Sequence, residues 1–214
     1  ASGISVLDVA DDGTIATSRD IILQEWSGSK TMHYYPTWSP DGQYIAFMSG
    51  KPGDGGVGAG TFSNRGGVVR IVRADAATGT TCPSADCWEL VQGTGHALGD
   101  TVFKSTWPKF GPFAQGADSS LVFITLTSWR PYGYLVDGSD QLWTFAVDTS
   151  ALGVSADASF PPIWLPHQDM SAQNIEGIWT ETLPCSNDQG QCQGCVAGEE
   201  CVTTSTGSCE CRAP

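Results

Sequence analysis

The chain has 214 residues and a net charge of −13, with only 15% charged residues against 26 glycines and 12 prolines. Its ten Lys and Arg are scattered, without the basic cluster that phosphate binding needs, which argues against a nucleic-acid partner. It has no run of 18 apolar residues, so no segment is long enough to cross a membrane as a helix.

Hydrophobic residues make up 40% of the chain, enough for a real core. The excess of glycine and proline fits many short strands joined by tight turns. The length suits one domain with a small appendage. The chain opens at Ala1 with no methionine and no signal-like apolar stretch, and the expectation is a processed product or an excised piece. The acidity fits solubility outside the cell; binding of calcium or another divalent cation is the alternative.

No window of a dozen residues keeps a helical apolar period without a glycine or proline inside it. Strand signals are frequent and fall at residues 4–9, 14–18, 21–25, 34–38, 44–48, 68–73, 88–91, 102–107, 121–126, 141–147, 163–165 and 175–181. The clearest turn is Ser39-Pro40-Asp41-Gly42. Proline presets φ, aspartate can accept from the backbone ahead of it, and glycine takes the positive φ. The β-rich runs on either side make this a hairpin.

A second copy of the pattern aligns Ser105-Thr106-Trp107-Pro108 with Pro36-Thr37-Trp38-Ser39, and Leu121 to Thr125 with Tyr44 to Met48. A third ends at Trp179. The tryptophans Trp38, Trp107 and Trp179 are spaced by 69 and 72 residues, longer than the roughly forty to fifty of an ordinary propeller blade. Inserts at 50–67 and 127–140 account for the excess.

The Trp38 to Gly42 wording resembles the W-S-P-D-G repeat of TolB-like, PD40-type β-propellers. With Phe160 to Asp169, Trp107-Pro108-Lys109 and Gln141-Leu142-Trp143, the chain is similar over residues 34–211 to secreted bacterial PD40-repeat proteins with a Cys-rich tail. The resemblance implies an all-β fold of four-stranded antiparallel blades over residues 1–183, followed by a disulfide-stapled tail over 184–214. It also implies secretion, to an extracellular or periplasmic location. About three blades can be counted, whereas closed propellers have roughly four to eight. Either the remaining blades lie on another chain, or the chain associates with itself.

The eight cysteines are Cys82 and Cys87, around a short loop, and Cys185, Cys192, Cys195, Cys201, Cys209 and Cys211. Their even number, with six crowded into an apolar-poor tail, fits structural disulfides made in an oxidising compartment. The tail pairing stays open, and zinc on Cys192/Cys195 and Cys209/Cys211 is the alternative.

Catalytic signals are weak. Gly-x-Ser-x-Gly is absent, and Ser27-x-x-Lys30 lies in a loop. The Gly-rich stretch 53–60 lacks the Gly-Lys-Ser/Thr ending of a phosphate loop. Of the three histidines, His33, His96 and His167, His33 and His167 fit ordinary loop or strand-end residues, with metal ligation at a propeller axis as the alternative. Asp8, Asp11, Asp12 and Gly13 fit a hairpin turn better than a calcium loop. The best binding candidate is Trp129, Arg130, Tyr132 and Tyr134, aromatics and a cation in an insert expected on a rim. The expected function is a non-catalytic binding or assembly module, with a protein partner or the remaining blades as its counterpart. The alternatives are a metal-assisted hydrolase or lyase with its site at the axis, and a structural subunit of an extracellular assembly.

Overall fold

A computed structural model of the chain describes residues 3–17, 20–24, 31–51, 64–100, 103–116, 118–132, 139–169 and 171–179, and the backbone of 200–203 and 209–212. Two units divide it, Ala1–Trp179 and Thr180–Pro214. The fold is all-β. In the first unit, β1 (Gly3–Val6) and β2 (Asp20–Gln24) pair antiparallel. Next comes an antiparallel sheet of β3 (Met32–Trp38), β4 (Tyr44–Gly50), β5 (Val68–Arg73) and β6 (Cys87–Glu89), in sequence order. After one helical turn, α1 (Val91–Thr94), a second sheet repeats that order with β7 (Thr106–Phe110), β8 (Leu121–Ser128), β9 (Gln141–Asp148) and β10 (Ile163–Trp164). Both are four-stranded meanders of the propeller-blade type. In the second unit, the backbones of β11 (Glu200–Thr203) and β12 (Cys209–Arg212) pair antiparallel, with Cys201 opposite Cys211.

The sheets of the first unit stack face to face, and the first four-stranded sheet is the middle layer. Ile45, Phe47 and Val72 on one of its faces pack with Ile4, Ile22 and Leu23 of β1 and β2. Ala46, Val69 and Ile71 on the other face pack with Val122, Ile124, Leu126, Phe145 and Val147 of the second sheet. Burial on both faces explains why β4 is apolar almost throughout rather than alternating. The third layer has two strands, β1 and β2, among the described residues.

The Ser39 to Gly42 turn forms as its chemistry requires. The Gly42 amide donates to the Ser39 carbonyl at 3.0 Å, and Gly42 sits at φ 69°. Asp41 accepts from the Gln43 amide at 3.0 Å, and the Ser39 hydroxyl accepts from the Tyr44 amide at 2.9 Å. Cys82 and Cys87 form the expected disulfide, in the loop that leads into β6. Of the tail cysteines, Cys185, Cys192 and Cys195 lie outside the described residues, and only backbone is described for the other three.

Several strand bounds move. β6 stops at Glu89, because the chain turns into α1 at Val91. Of the strand expected at 14–18, the described residues 14–17 make an isolated bridge between Val9 and Ile15, and residue 18 lies outside the described residues. The strand expected at 102–107 starts at Thr106, since Lys104 takes a left-handed φ of 48°. β7 then runs through Pro108, a residue allowed on an edge strand or at a bulge.

That bulge corrects the alignment of the copies. Two residues of β3, Tyr35 and Pro36, oppose Phe47 alone, and two residues of β7, Trp107 and Pro108, oppose Leu126 alone. Tyr35 and Trp107 have φ of 55° and 50°. Trp107 is therefore the counterpart of Tyr35, not of Trp38, and Phe110 is the counterpart of Trp38. Glu176 repeats the left-handed φ at 60°, with Trp179 three residues later. Successive copies touch at these points. The Tyr35 and Trp107 rings meet edge-on at 5.1 Å, and the Lys109 ammonium lies 3.1 Å from the Glu176 carboxylate. Thr106 of β7 contacts Met48 of β4, and the Glu176 amide donates to Thr127, which occupies the Met48 position of β8. Residues 174–179 thus repeat the β3 and β7 path, although they pair into no sheet among the described residues.

Candidate functional site

The two inserts fall where a rim needs them. Each joins the second and third strands of its sheet, β4 to β5 and β8 to β9. Residues 52–63 and 133–138 of these inserts, including the Gly-rich stretch and Tyr134, lie outside the described residues.

The described part of the second insert divides in two. The Trp129 ring has the Arg65 guanidinium 5.0 Å and the Lys104 ammonium 4.4 Å from its centroid. Lys104 is buried and paired with buried Asp140 at 2.9 Å. Burial pushes its ammonium below the ordinary lysine range, against the pull of Asp140. Arg130 is also buried and does not sit on the rim expected for it. Its guanidinium donates to the carbonyls of Gly93 and Thr94 and to the Ser128 hydroxyl, and it lies 5.0 Å from the Trp143 ring. The carbonyls it satisfies end α1, where a helix has acceptors and no intrahelical donors. Burial pushes its pKa down to about 10, so it stays cationic at neutral pH. Tyr132 alone keeps an exposed ring, 47% accessible, stacked on Trp164 at 4.5 Å.

The remaining candidates stay apart. His33 is buried against Ser49 and Phe47. His96 is buried beside Phe103, and His167 is exposed. No group of three or more His, Cys, Asp or Glu suited to a metal occurs among the described residues. Asp12 accepts from Thr14 in a closed turn, and those bonds hold its carboxyl below the usual range. Ser27 and Lys30 lie outside the described residues.

Sequence reasoning gave Trp179 no site role, and it stands at a hollow on the outer face of the second sheet. The outer face of the second sheet carries Phe123 and Thr144, and residues 171–179 cross one side of it. The Asn174 amide donates to the Asp140 carbonyl at 2.7 Å, and the Glu176 amide to the Thr127 hydroxyl at 3.2 Å. Gly177 lies so close to the sheet that an added Cβ would come 2.7 Å from Thr125 Cγ2. Between this segment and the Gly111 to Gln115 loop is a hollow of about 490 Å³, walled by Gly111, Pro112, Phe113, Phe123, Thr144 and Trp179. A second hollow, of about 330 Å³, adjoins it at Pro112 and Trp179, with Lys109, Glu176 and Ile178 on its lining. Phe113, Ile175, Ile178 and Trp179 are all exposed, Ile178 by 79%. Grouped apolar exposure of this kind marks an interaction surface more often than isolated exposed side chains do. Its only signal in the sequence was the third copy itself, a strand opening with no second strand after it.

Comparison with known proteins finds no matching family model, no matching curated protein and no matching solved structure.

Proposed function

We propose that the chain is a secreted, non-catalytic binding or assembly module: a TolB-like, PD40-type propeller segment, extracellular or periplasmic, whose stacked sheets accept a further β layer. One observation carries this reading. The outer face of the second sheet has the first strand path of another copy laid on it and exposed apolar residues around it. Supporting it are the Trp38 to Gly42 turn, the two complete blade-type sheets and the Cys82–Cys87 disulfide, which belongs to oxidising compartments.

The test is whether that face is open in the intact, oxidised chain. An environment-sensitive apolar dye is expected to bind the native protein, and Trp179→Ser to abolish the signal while leaving the melting temperature unchanged. Absence of dye binding to the native chain, together with a strictly monomeric mass up to high concentration, would refute the reading.

A further inference from the structure

We propose that the hollow beside Trp179 is a strand-acceptor site. It takes one extended, uncharged segment with apolar residues on both faces, supplied from outside residues 1–214. That segment adds alongside residues 175–179 as β4 adds to β3 and β8 to β7. The inference rests on the binding-module reading and names the occupant's chemistry.

The acceptor path is already set. In both complete sheets a strand with a left-handed residue at its bulge, Tyr35 or Trp107, pairs with the strand that follows it. Residues 174–179 take the same turn at Glu176, contact the preceding sheet at the same place, and carry Trp179 where β3 has Trp38 and β7 has Phe110. Backbone already bent into the pairing conformation loses less entropy when a strand adds.

The hollow also has the right position. By sheet register, Phe123 and Thr144 are the counterparts of Tyr44 and Ile71 in the first sheet. There, Tyr44 and Ile71 pack in one cluster with Val122 and Ile124, the side chains of the second strand of the next layer. Over Phe123 and Thr144 the corresponding space is the hollow. It lies where the second strand of a further layer would place its side chains.

Residues 180–214 do not read as such a strand. Residues 180–214 contain no two adjacent Val, Ile, Leu, Met, Phe, Tyr or Trp. The strands at the equivalent place, Tyr44–Gly50 and Leu121–Ser128, are uncharged and mostly apolar, with hydroxyl residues toward their ends. A second copy is disfavoured as the occupant, because its own strands of this type are already buried within its sheets and each chain carries a charge of −13.

The experiment uses the intact, oxidised chain and a synthetic peptide copying Leu121–Ser128, flanked by two lysines at each end for solubility, at physiological salt. The expected result is saturable one-to-one binding, at least about tenfold weaker with Trp179→Ser. N-methylating the peptide amides along one edge should weaken binding by a similar factor, and along the other edge it should not, because only one edge can pair with 175–179. A lysine-flanked Gly-Ser peptide is expected not to bind. Gly177→Ala, which displaces the acceptor path without touching Trp179, should also weaken binding at an unchanged melting temperature.

Three results would overturn the proposal: no binding, equal binding by both N-methylated peptides, or a dimer of the chain that saturating peptide fails to dissociate. The last would make a second copy the occupant. Peptide failure with the dye result intact would remove the strand inference alone, whereas failure of both would remove the binding-module reading as well.

Discussion

Replacing Arg130 by methionine should destabilise the protein and leave its surface chemistry intact. The guanidinium is buried and supplies donors to the Gly93 and Thr94 carbonyls, which are themselves buried at the end of α1. Methionine keeps much of the apolar contact with Trp143 and Phe103 and removes every donor. A buried polar group left without a partner costs roughly 1–3 kcal/mol; Gly93 loses its donor while Thr94 keeps the Ser105 hydroxyl, so the loss is about 1–3 kcal/mol. For a unit of this size each kcal/mol moves the midpoint by about 2–4 °C, and a fall of roughly 2–12 °C is expected. Thermal unfolding followed by circular dichroism, with calorimetry to check reversibility, measures it. Arg130→Lys should recover part of the loss, since one ammonium can reach one carbonyl. Tyr132→Ala, at an exposed ring, should cost less than about 1 kcal/mol. A melting temperature within a degree or two of the parent, combined with lost binding in Arg130→Met, would refute this reasoning and return Arg130 to the surface role its sequence context implied.

Lys104→Met leaves Asp140 charged and buried, and should cost about 3–5 kcal/mol, while Lys104→Met with Asp140→Leu should recover most of it, as a double-mutant cycle by chemical denaturation would show. Burial and the Arg130 charge hold the His96 imidazole below its ordinary value of 6.5. The unfolded chain therefore takes up the proton first as pH falls. Stability is complete above that value and declines as pH drops below it. His96→Phe should flatten the change in melting temperature between roughly pH 7.5 and 5.5, where most carboxylates are still ionised. Replacing both Cys82 and Cys87 by alanine opens a five-residue separation and should cost about 2 kcal/mol, measured by denaturant unfolding.

The parts of the fold legible in the sequence are those fixed by local chemistry. The Ser39 to Gly42 turn is closed by its own side chains, and the apolar runs of β4, β5, β8 and β9 are the strands whose facing sides form the core. Register was not legible. Matching tryptophan with tryptophan placed Trp107 on Trp38, yet the bulge pairs Trp107 with Tyr35, because what repeats is a left-handed residue two places before a strand resumes. A one-dimensional pattern of residue types does not show φ. The site was misjudged for a related reason. An arginine between two aromatics in an insert looks exposed, but Arg130 turns inward to carbonyls 36 and 37 residues away in sequence. The hollow at Trp179 was visible only as an incomplete third copy, since an open face is defined by what packs on the equivalent face elsewhere.

Amide hydrogen exchange tests the central claim, that residues 174–179 are a first strand awaiting its partner. In the free, oxidised chain the amides of residues 177–179, beyond the bonded Asn174 and Glu176 amides, should exchange at least about 100-fold faster than those of β4 and β8, the strands paired on both sides. Adding the strand peptide should slow them toward the β8 rate, with little change elsewhere. Protection equal to β8 in the free chain, or rates unmoved by saturating peptide, would contradict the account.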